Sequence, residues 1–208
     1  EFSRKKIIQH VRVAPERIHV THLAPRVADP IPSWNGASLP EQFLLCVSGR
    51  SPHKNIQRLC RAYQKAQCAF GKPWPLVLVG RVPPEVSQDT SMSNIQCLGY
   101  VSDGALSGLY RRASAFVFPS LYEGFGLPVV DAMSAGLPVA CSNAACLPEV
   151  AGDGALFFDP QSEASIADAL VRLVNEPELR KQLVGKGQMN ARRFSWAKCA
   201  QETADVFR

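Results

Sequence analysis

Ala115-Phe116-Val117-Phe118-Pro119-Ser120-Leu121-Tyr122-Glu123-Gly124-Phe125-Gly126-Leu127-Pro128-Val129-Val130-Asp131-Ala132-Met133 contains one complete strand-to-helix crossing. Its first four residues are a short apolar run that reads as a fully buried strand. Residues 127–135 have helical spacing, with Pro128 in the first turn, where proline is tolerated. At such a crossing the first amides of the helix lack internal partners and the helix dipole adds partial positive charge, so a phosphate is a natural occupant. Gly124 and Gly126 let a ligand approach the backbone closely. Glu123, before the turn, and Asp131, inside the first turns of the helix, are acceptors for sugar hydroxyls. The combination suits a sugar nucleotide. A purely structural alternative stands beside it, in which the glycines only tighten the turn and Asp131 only favours a helix start.

The same strand-then-helix alternation continues on both sides. Strands are expected at 43–47, 76–79, 95–98, 115–118, 138–141 and 155–158, and helices at 56–69, 105–113, 127–135, 165–174, 178–193 and 196–207. Regular alternation means an α/β protein with a doubly wound parallel sheet of Rossmann-like type. Ser102 or Asp103 can cap the helix at 105, Gly136 can end the helix after Met133, and Ser162 precedes the amphipathic run of Ile166, Leu170 and Leu173. In such sheets ligands bind outside the carboxyl ends of the strands, where loops 48–55, 80–84, 99–102, 119–126 and 142–149 converge. Residues 1–40 read as a connecting segment: a short basic helix, the extended Ile18-His19-Val20-Thr21-His22-Leu23, and a Pro/Gly/Ser-rich stretch from Pro25 to Pro40. The start without Met, in what reads as mid-helix, suggests a piece of a longer protein.

Composition narrows the classes. With 208 residues, 46% hydrophobic and 20% charged, the chain can bury a full core and is neither disordered nor fibrous. No apolar run has the length of a membrane span and no signal-peptide pattern opens the chain, so a cytoplasmic protein is expected. Seven cysteines without a C-x2-C pair and four unclustered histidines read as reduced core residues and no metal site. The net charge of +5 favours an anionic partner. The basic pairs and triplets at Arg4-Lys5-Lys6, Arg111-Arg112 and Arg192-Arg193 lack interleaved aromatics and read as solvated helix faces, not as a nucleic-acid surface.

Three further loops carry chemistry. Gly49-Arg50-Ser51-Pro52-His53-Lys54-Asn55 follows the first strand, and its Arg fork and Lys point charge at a helix start can clamp a diphosphate. Asn55 is a good helix cap. The segment has neither the P-loop spacing nor the glycine triplet of a dinucleotide turn, which argues against an ATPase and a nicotinamide oxidoreductase. Gly99-Tyr100-Val101 follows the third strand, and its backbone can present an amide and a carbonyl to a base edge; a plain strand end is an equal reading. Glu149 lies near the same sheet edge and reads as structural or supporting rather than ligand-binding.

Together these residues resemble the donor-binding half of the retaining glycosyltransferases of family 4, also called glycosyltransferase group 1, over nearly the whole chain. The segment from Glu123 to Asp131 is similar to the family's E-x7-E motif, its last acid shortened to Asp. Arg50 to Asn55, Gly99 to Ser102, Ala135 to Val139 and Leu147 to Asp153 support it in the same order. The resemblance implies the C-terminal half of a GT-B enzyme, with 41–208 as the nucleotide-sugar domain and the acceptor domain absent. It implies an NDP-sugar donor, no metal or other cofactor, and a saccharide or lipid-linked acceptor, the full-length enzyme being cytoplasmic or associated with the inner face of a membrane. Arg50 and Lys54 would hold the diphosphate, with Gly49 beside them; Gly124, Phe125, Gly126 and Leu127 would hold phosphate or sugar through their amides. Glu123 would fix sugar hydroxyls, Asp131 the ribose, and Tyr100 and Val101 the base. Two departures stand out: Asp131 is one methylene short of the usual Glu, so its ribose contact runs either directly or through water, and the Arg-to-Lys spacing is one residue shorter than the common form. The Arg50-to-Asn55 wording is similar to a bacterial polysaccharide subgroup that often uses GDP-mannose, which tilts the expected donor toward GDP-mannose and the activity toward mannosyl transfer. A non-catalytic nucleotide-sugar binding module is compatible with the same residues.

Overall fold

Leu44-Leu45-Cys46-Val47, Leu76-Val77-Leu78-Val79 and Ala115-Phe116-Val117-Phe118 are apolar at every position because each strand is covered on both faces, as parallel sheets require. The computed structural model describes residues 1–26, 36, 38–89, 92 and 94–207. Its elements in chain order are α1 (Phe2–His10), β1 (Leu44–Val47), α2 (Ile56–Ala66), β2 (Leu76–Val79), α3 (Pro84–Ser87), β3 (Ile95–Gly99), α4 (Asp103–Arg112), β4 (Ala115–Phe118), α5 (Leu127–Ser134), β5 (Val139–Ser142), α6 (Leu147–Ala151), β6 (Ala155–Phe158), α7 (Glu163–Asn175), α8 (Pro177–Ala191) and α9 (Trp196–Val206).

The six strands form one parallel sheet in the order β3-β2-β1-β4-β5-β6. Leu45 stands between Val77 of β2 and Phe116 of β4, so β1 and β4 are the neighbours from which the chain winds outward in opposite directions. Alternate side chains face opposite sides. Leu44, Cys46, Leu76, Leu78 and Val117 pack with Leu59 and Tyr63 of α2 and Leu170 and Leu173 of α7. Leu45, Val77, Phe116, Phe118 and Val139 pack on the other side with Leu109 of α4, Val130 and Met133 of α5, and Leu147 of α6. The doubly wound α/β expectation is therefore met, with every expected strand present and end positions shifted by at most one residue.

Some local expectations change. The helix expected over 56–69 stops at Ala66 and tightens into a single 3-10 turn over Gln67–Ala69. Ser102, not Asp103, caps α4, its hydroxyl accepting from the Ala105 amide. Gly136 ends α5 in a left-handed conformation, φ +79°, with the Leu137 amide reaching back to the Ala132 carbonyl. The 142–149 loop contains the start of α6, which was not expected: five residues are too few for periodicity to show, and Pro148 in the first turn is its main sequence mark. Cys46, Cys60, Cys141 and Cys146 are buried thiols, but Cys68 and Cys97 are exposed, which corrects their reading as core residues. The charged pairs are less uniformly solvated than expected: Arg4 donates to the carbonyls of Ile18 and Pro15, and Arg193 to the Asn190 side chain. Most of the Pro/Gly/Ser-rich stretch from 25 to 40 lies outside the described residues.

α8 crosses the edge of the sheet at a point with no room for side chains. A Cβ on Gly154 would stand 2.8 Å from the Gly187 Cα and 3.0 Å from its amide nitrogen, both backbone atoms that cannot rotate away. Gly154→Ala is expected to cost about 1–3 kcal/mol, read as a lower denaturant midpoint at unchanged slope.

Candidate functional site

The topological switch lies between β1 and β4, where two adjacent parallel strands send their chains to opposite sides of the sheet and leave a crevice at their carboxyl ends. Asn55 closes its base. The residue is 8% exposed and sits at φ +57°, a left-handed conformation that asparagine tolerates. Its Nδ2 donates to the Pro119 carbonyl at 3.0 Å and to the Pro160 carbonyl at 2.7 Å, while its Oδ1 accepts from Arg58 Nη1 at 2.7 Å. The expectation that Asn55 caps α2 with its side chain is thus corrected: the carboxamide instead ties the loops after β1, β4 and β6 together. The Leu121 amide adds a 2.7 Å bond to the His53 carbonyl.

This tie brings Lys54 and Glu123, 69 residues apart, into contact: Lys54 Nζ lies 2.7 Å from Glu123 Oε1. The ammonium also lies over the Phe118 ring, 5.2 Å from its centroid, where the π face attracts a cation. Only 23% of the Lys54 side chain and 14% of that of Glu123 are exposed. Gly49 makes room for the lysine, since a Cβ there would come within 3.2 Å of Lys54 Cγ. Cys146 supports the acid from below through a 3.2 Å bond from its thiol to the Glu123 carbonyl. Burial, and then the Glu123 charge, push that thiol up to about 11, so it stays a protonated donor.

Neither helix that opens on the crevice is capped by a side chain. α2 begins after Asn55 and α5 after Gly126. Pro128 has no amide hydrogen and the Val129 amide turns back to the Gly126 carbonyl at 2.9 Å, so the amides that face outward without a side-chain cap are those of the first turn of α2 and of Leu127. Gly126 at φ +92° turns the chain into α5, and a Cβ there would strike Leu147 Cδ2 at 2.6 Å. Gly124 is exposed with open space where a Cβ would stand, and Leu127 is half-buried. Phe125 turns its ring away from the crevice into an aromatic group with His22 and Phe194, leaving its backbone as the available part.

The remaining expected residues are dispersed around this centre. Arg50 is exposed and lines a cavity of about 700 Å³ with Ser51, Asn55, Arg58, Arg61 and Leu121, whereas Lys54 is committed to Glu123. Tyr100 is 84% exposed and Val101 half-buried at the carboxyl end of β3, beyond the Gly80 amide's 2.6 Å bond to the Gly99 carbonyl. Glu149 lies on α6 and accepts from the Phe2 amide at 3.0 Å, with His22 Nε2 at 3.7 Å, so it ties the start of α1 and the chain at His22 to α6.

Asp131 is not beside Glu123. It is 5% exposed, accepts from the Arg26 amide at 2.8 Å, and lines a cavity of about 280 Å³ with Arg26, Ser107, Tyr110, Arg111 and Ser134. The Tyr110 hydroxyl there is buried without a hydrogen-bond partner among the described residues. Sequence reasoning did not single out Arg26 or Tyr110, the latter standing only within the helix expected at 105–113. Burial raises the Asp131 carboxyl above its ordinary value, more than the Arg26 amide and guanidinium lower it.

The chain matches the model of the family "Glycosyl transferases group 1" over residues 31–189. It belongs to that family. It is 35% identical over its whole length to the O-antigen chain mannosyltransferase B of Escherichia coli, spanning 58% of that protein. It is 29% identical over 99% of its length to the MMP alpha-(1->4)-mannosyltransferase of Mycolicibacterium hassiacum, spanning 51% of it. Among solved structures, a glycosyltransferase from Rickettsia africae superposes with a TM-score of 0.80 at 14% identity, over 99% of this chain and 60% of that one. WaaG, a glycosyltransferase involved in lipopolysaccharide biosynthesis, gives 0.77 at 17% identity, over 97% and 59%. The fold is that of the Rossmann-like domain of GT-B glycosyltransferases, and the chain spans less than three fifths of either curated relative.

Two substitutions test the framework of the site. Asn55→Gly keeps the left-handed backbone but leaves the buried Pro119 carbonyl without its donor among the described residues and the Pro160 carbonyl with only the longer 3.3 Å bond from Arg58 Nη1, and is expected to cost about 1–3 kcal/mol in chemical denaturation. Asp131→Asn removes a buried charge. A carboxyl raised in the folded state binds its proton more readily there than in the unfolded chain, so the wild type loses stability as pH rises through that raised value. The Asn variant is therefore expected to melt higher than wild type at pH 7, with the gap closing as pH is lowered through that range.

Proposed function

We propose that the chain binds the NDP-sugar donor of a retaining hexosyltransferase that works without a metal ion, with GDP-mannose as the donor and a growing polysaccharide or glycolipid as the acceptor. The observation that carries the reading is the Lys54–Glu123 contact at the switch point, set between two helix starts that no side chain caps. A diphosphate in this crevice meets the Lys54 ammonium and free amides, and Arg50 on the same loop adds a second cation from the adjoining cavity. These groups offset the charge that develops on the leaving diphosphate, the largest electrostatic demand of glycosyl transfer. Glu123 Oε2 has no hydrogen-bond partner among the described residues and is available to sugar hydroxyls. Asp131 serves the ribose end from the cavity it shares with Ser107 and Arg111, and the backbone at Tyr100 and Val101 serves the base.

The curated relatives support a mannosyl donor, since both are mannosyltransferases by name. Retention follows in this reading from same-face attack, the departing phosphate taking the acceptor proton, with no covalent carboxylate intermediate. The acceptor is read by the part of the full-length enzyme that this chain does not include, possession of which separates transfer from mere donor binding. Among the described residues no helix is long and apolar enough to cross a membrane, so contact with a lipid-linked acceptor is peripheral in this proposal.

Titration calorimetry with GDP-, UDP- and ADP-sugars is expected to show GDP-mannose binding most tightly. Lys54→Ala is expected to reduce donor affinity at least about tenfold, as loss of a charge-assisted contact does, and to abolish transfer in the full-length enzyme. Near-normal donor affinity in that variant would remove the clamp from the mechanism.

A further inference from the structure

The Lys54 ammonium is already neutralised. Its partner is the carboxylate that the proposed function assigns to the sugar, and the bond between them is short, at 2.7 Å. Both side chains are mostly withdrawn from solvent and the ammonium rests on the Phe118 ring, so neither charge is screened as a surface ion would be. A diphosphate can reach Lys54 only by taking the place of Glu123 or by sharing the ammonium with it, against the repulsion of a nearby negative charge. No other side-chain acid pairs with Lys54 among the described residues, and Arg50 makes no ion pair there either.

We infer that Glu123 is the resident counter-ion of Lys54, exchanged for the donor diphosphate on binding and recovering the lysine when the nucleoside diphosphate departs. The inference rests on the donor-clamp reading and extends it to product release. In the empty site the carboxylate keeps Lys54 extended over Phe118 in the crevice, as Gly49 allows. When the donor enters, Lys54 passes to the diphosphate and Glu123 is freed for sugar hydroxyls. After transfer the sugar is gone and the diphosphate alone holds Lys54, with Glu123 beside it to compete. One carboxylate thus serves the sugar in the donor complex and lowers affinity for the spent nucleotide. It does so without a covalent bond made or broken.

The consequence runs against the usual effect of removing a binding-site acid. Glu123→Gln keeps the shape of the side chain and its hydrogen-bonding oxygen but removes the competing charge. It is expected to bind free GDP about five- to tenfold more tightly than wild type, the scale of one lost partly buried ion pair. In the full-length enzyme the same variant is expected to turn over more slowly and to be inhibited by GDP at lower concentration. Calorimetry with GDP, and with UDP and ADP beside it, is run on wild type, Glu123→Gln, Glu123→Ala, Lys54→Ala and the Lys54→Ala/Glu123→Gln pair. Thermal melts identify any variant that does not fold, and Glu123→Ala replaces Glu123→Gln in that event. The gain is expected to vanish in the double variant, because it acts through Lys54. Equal or weaker nucleotide binding by both Glu123 variants, with Lys54→Ala still impaired, overturns the counter-ion role and leaves the clamp standing. Unchanged affinity in Lys54→Ala, or no binding of any of the three nucleotides by wild type, overturns the clamp itself.

Discussion

Two adjacent parallel strands that send their chains in opposite directions leave a gap at their carboxyl ends, and a gap lined by backbone must satisfy its polar groups or fill with solvent. Here one buried carboxamide does it. Asn55 donates twice and accepts once, drawing Pro119, Pro160 and Arg58 to a single point beneath the crevice. Lys54 precedes Asn55 directly, and Glu123 follows Pro119 by four residues, so the positions of both charged groups depend on this junction. The rest of the site is an elaboration of that closure. Gly49 clears the lysine's path, Cys146 holds the carbonyl of the acid, and Gly126 turns the chain so that α5 begins facing the gap.

The electrostatics divide along the same line. On the Lys54 side the cation and the acid offset each other over an apolar floor, and two uncapped helix starts supply further positive potential. On the Asp131 side an acid is buried against the Arg26 amide and, at 3.9 Å, its guanidinium, beside a phenol that has no hydrogen-bond partner among the described residues. The first arrangement is nearly balanced before any ligand arrives; the second is not, and burial of its charge works against the fold. Sites that bind and release commonly carry such local costs, which the surrounding packing must exceed.

What could be read from the sequence was what repeats at short range. Apolar runs of four residues marked the strands, and Ser102, Ser162 and Gly136 marked helix ends, because the physics of each acts within a few positions. α3 and α6 escaped for the same reason, being too short to show a period. The residues of the crevice were recognisable as residue types, yet their partners were not. Lys54 finds Glu123 across 69 residues, and Asn55 finds Pro160 and Asp131 finds Arg26 across 105. Nothing local distinguishes an asparagine that caps a helix from one that bridges three loops. Nor does spacing reveal that Arg50 and Lys54, four positions apart, face different surroundings.

Phe118 belongs to two structures at once. Its ring is a fully buried part of the core beneath α5, stacked on Phe116, and it is also the surface on which the Lys54 ammonium rests. The interior therefore reaches the crevice without an intervening layer. An aliphatic replacement of similar bulk would preserve the apolar filling while withdrawing the electron-rich face from the cation. One ring thus fills the core and fixes the seat of a charge in the crevice, so a change to either property changes the other.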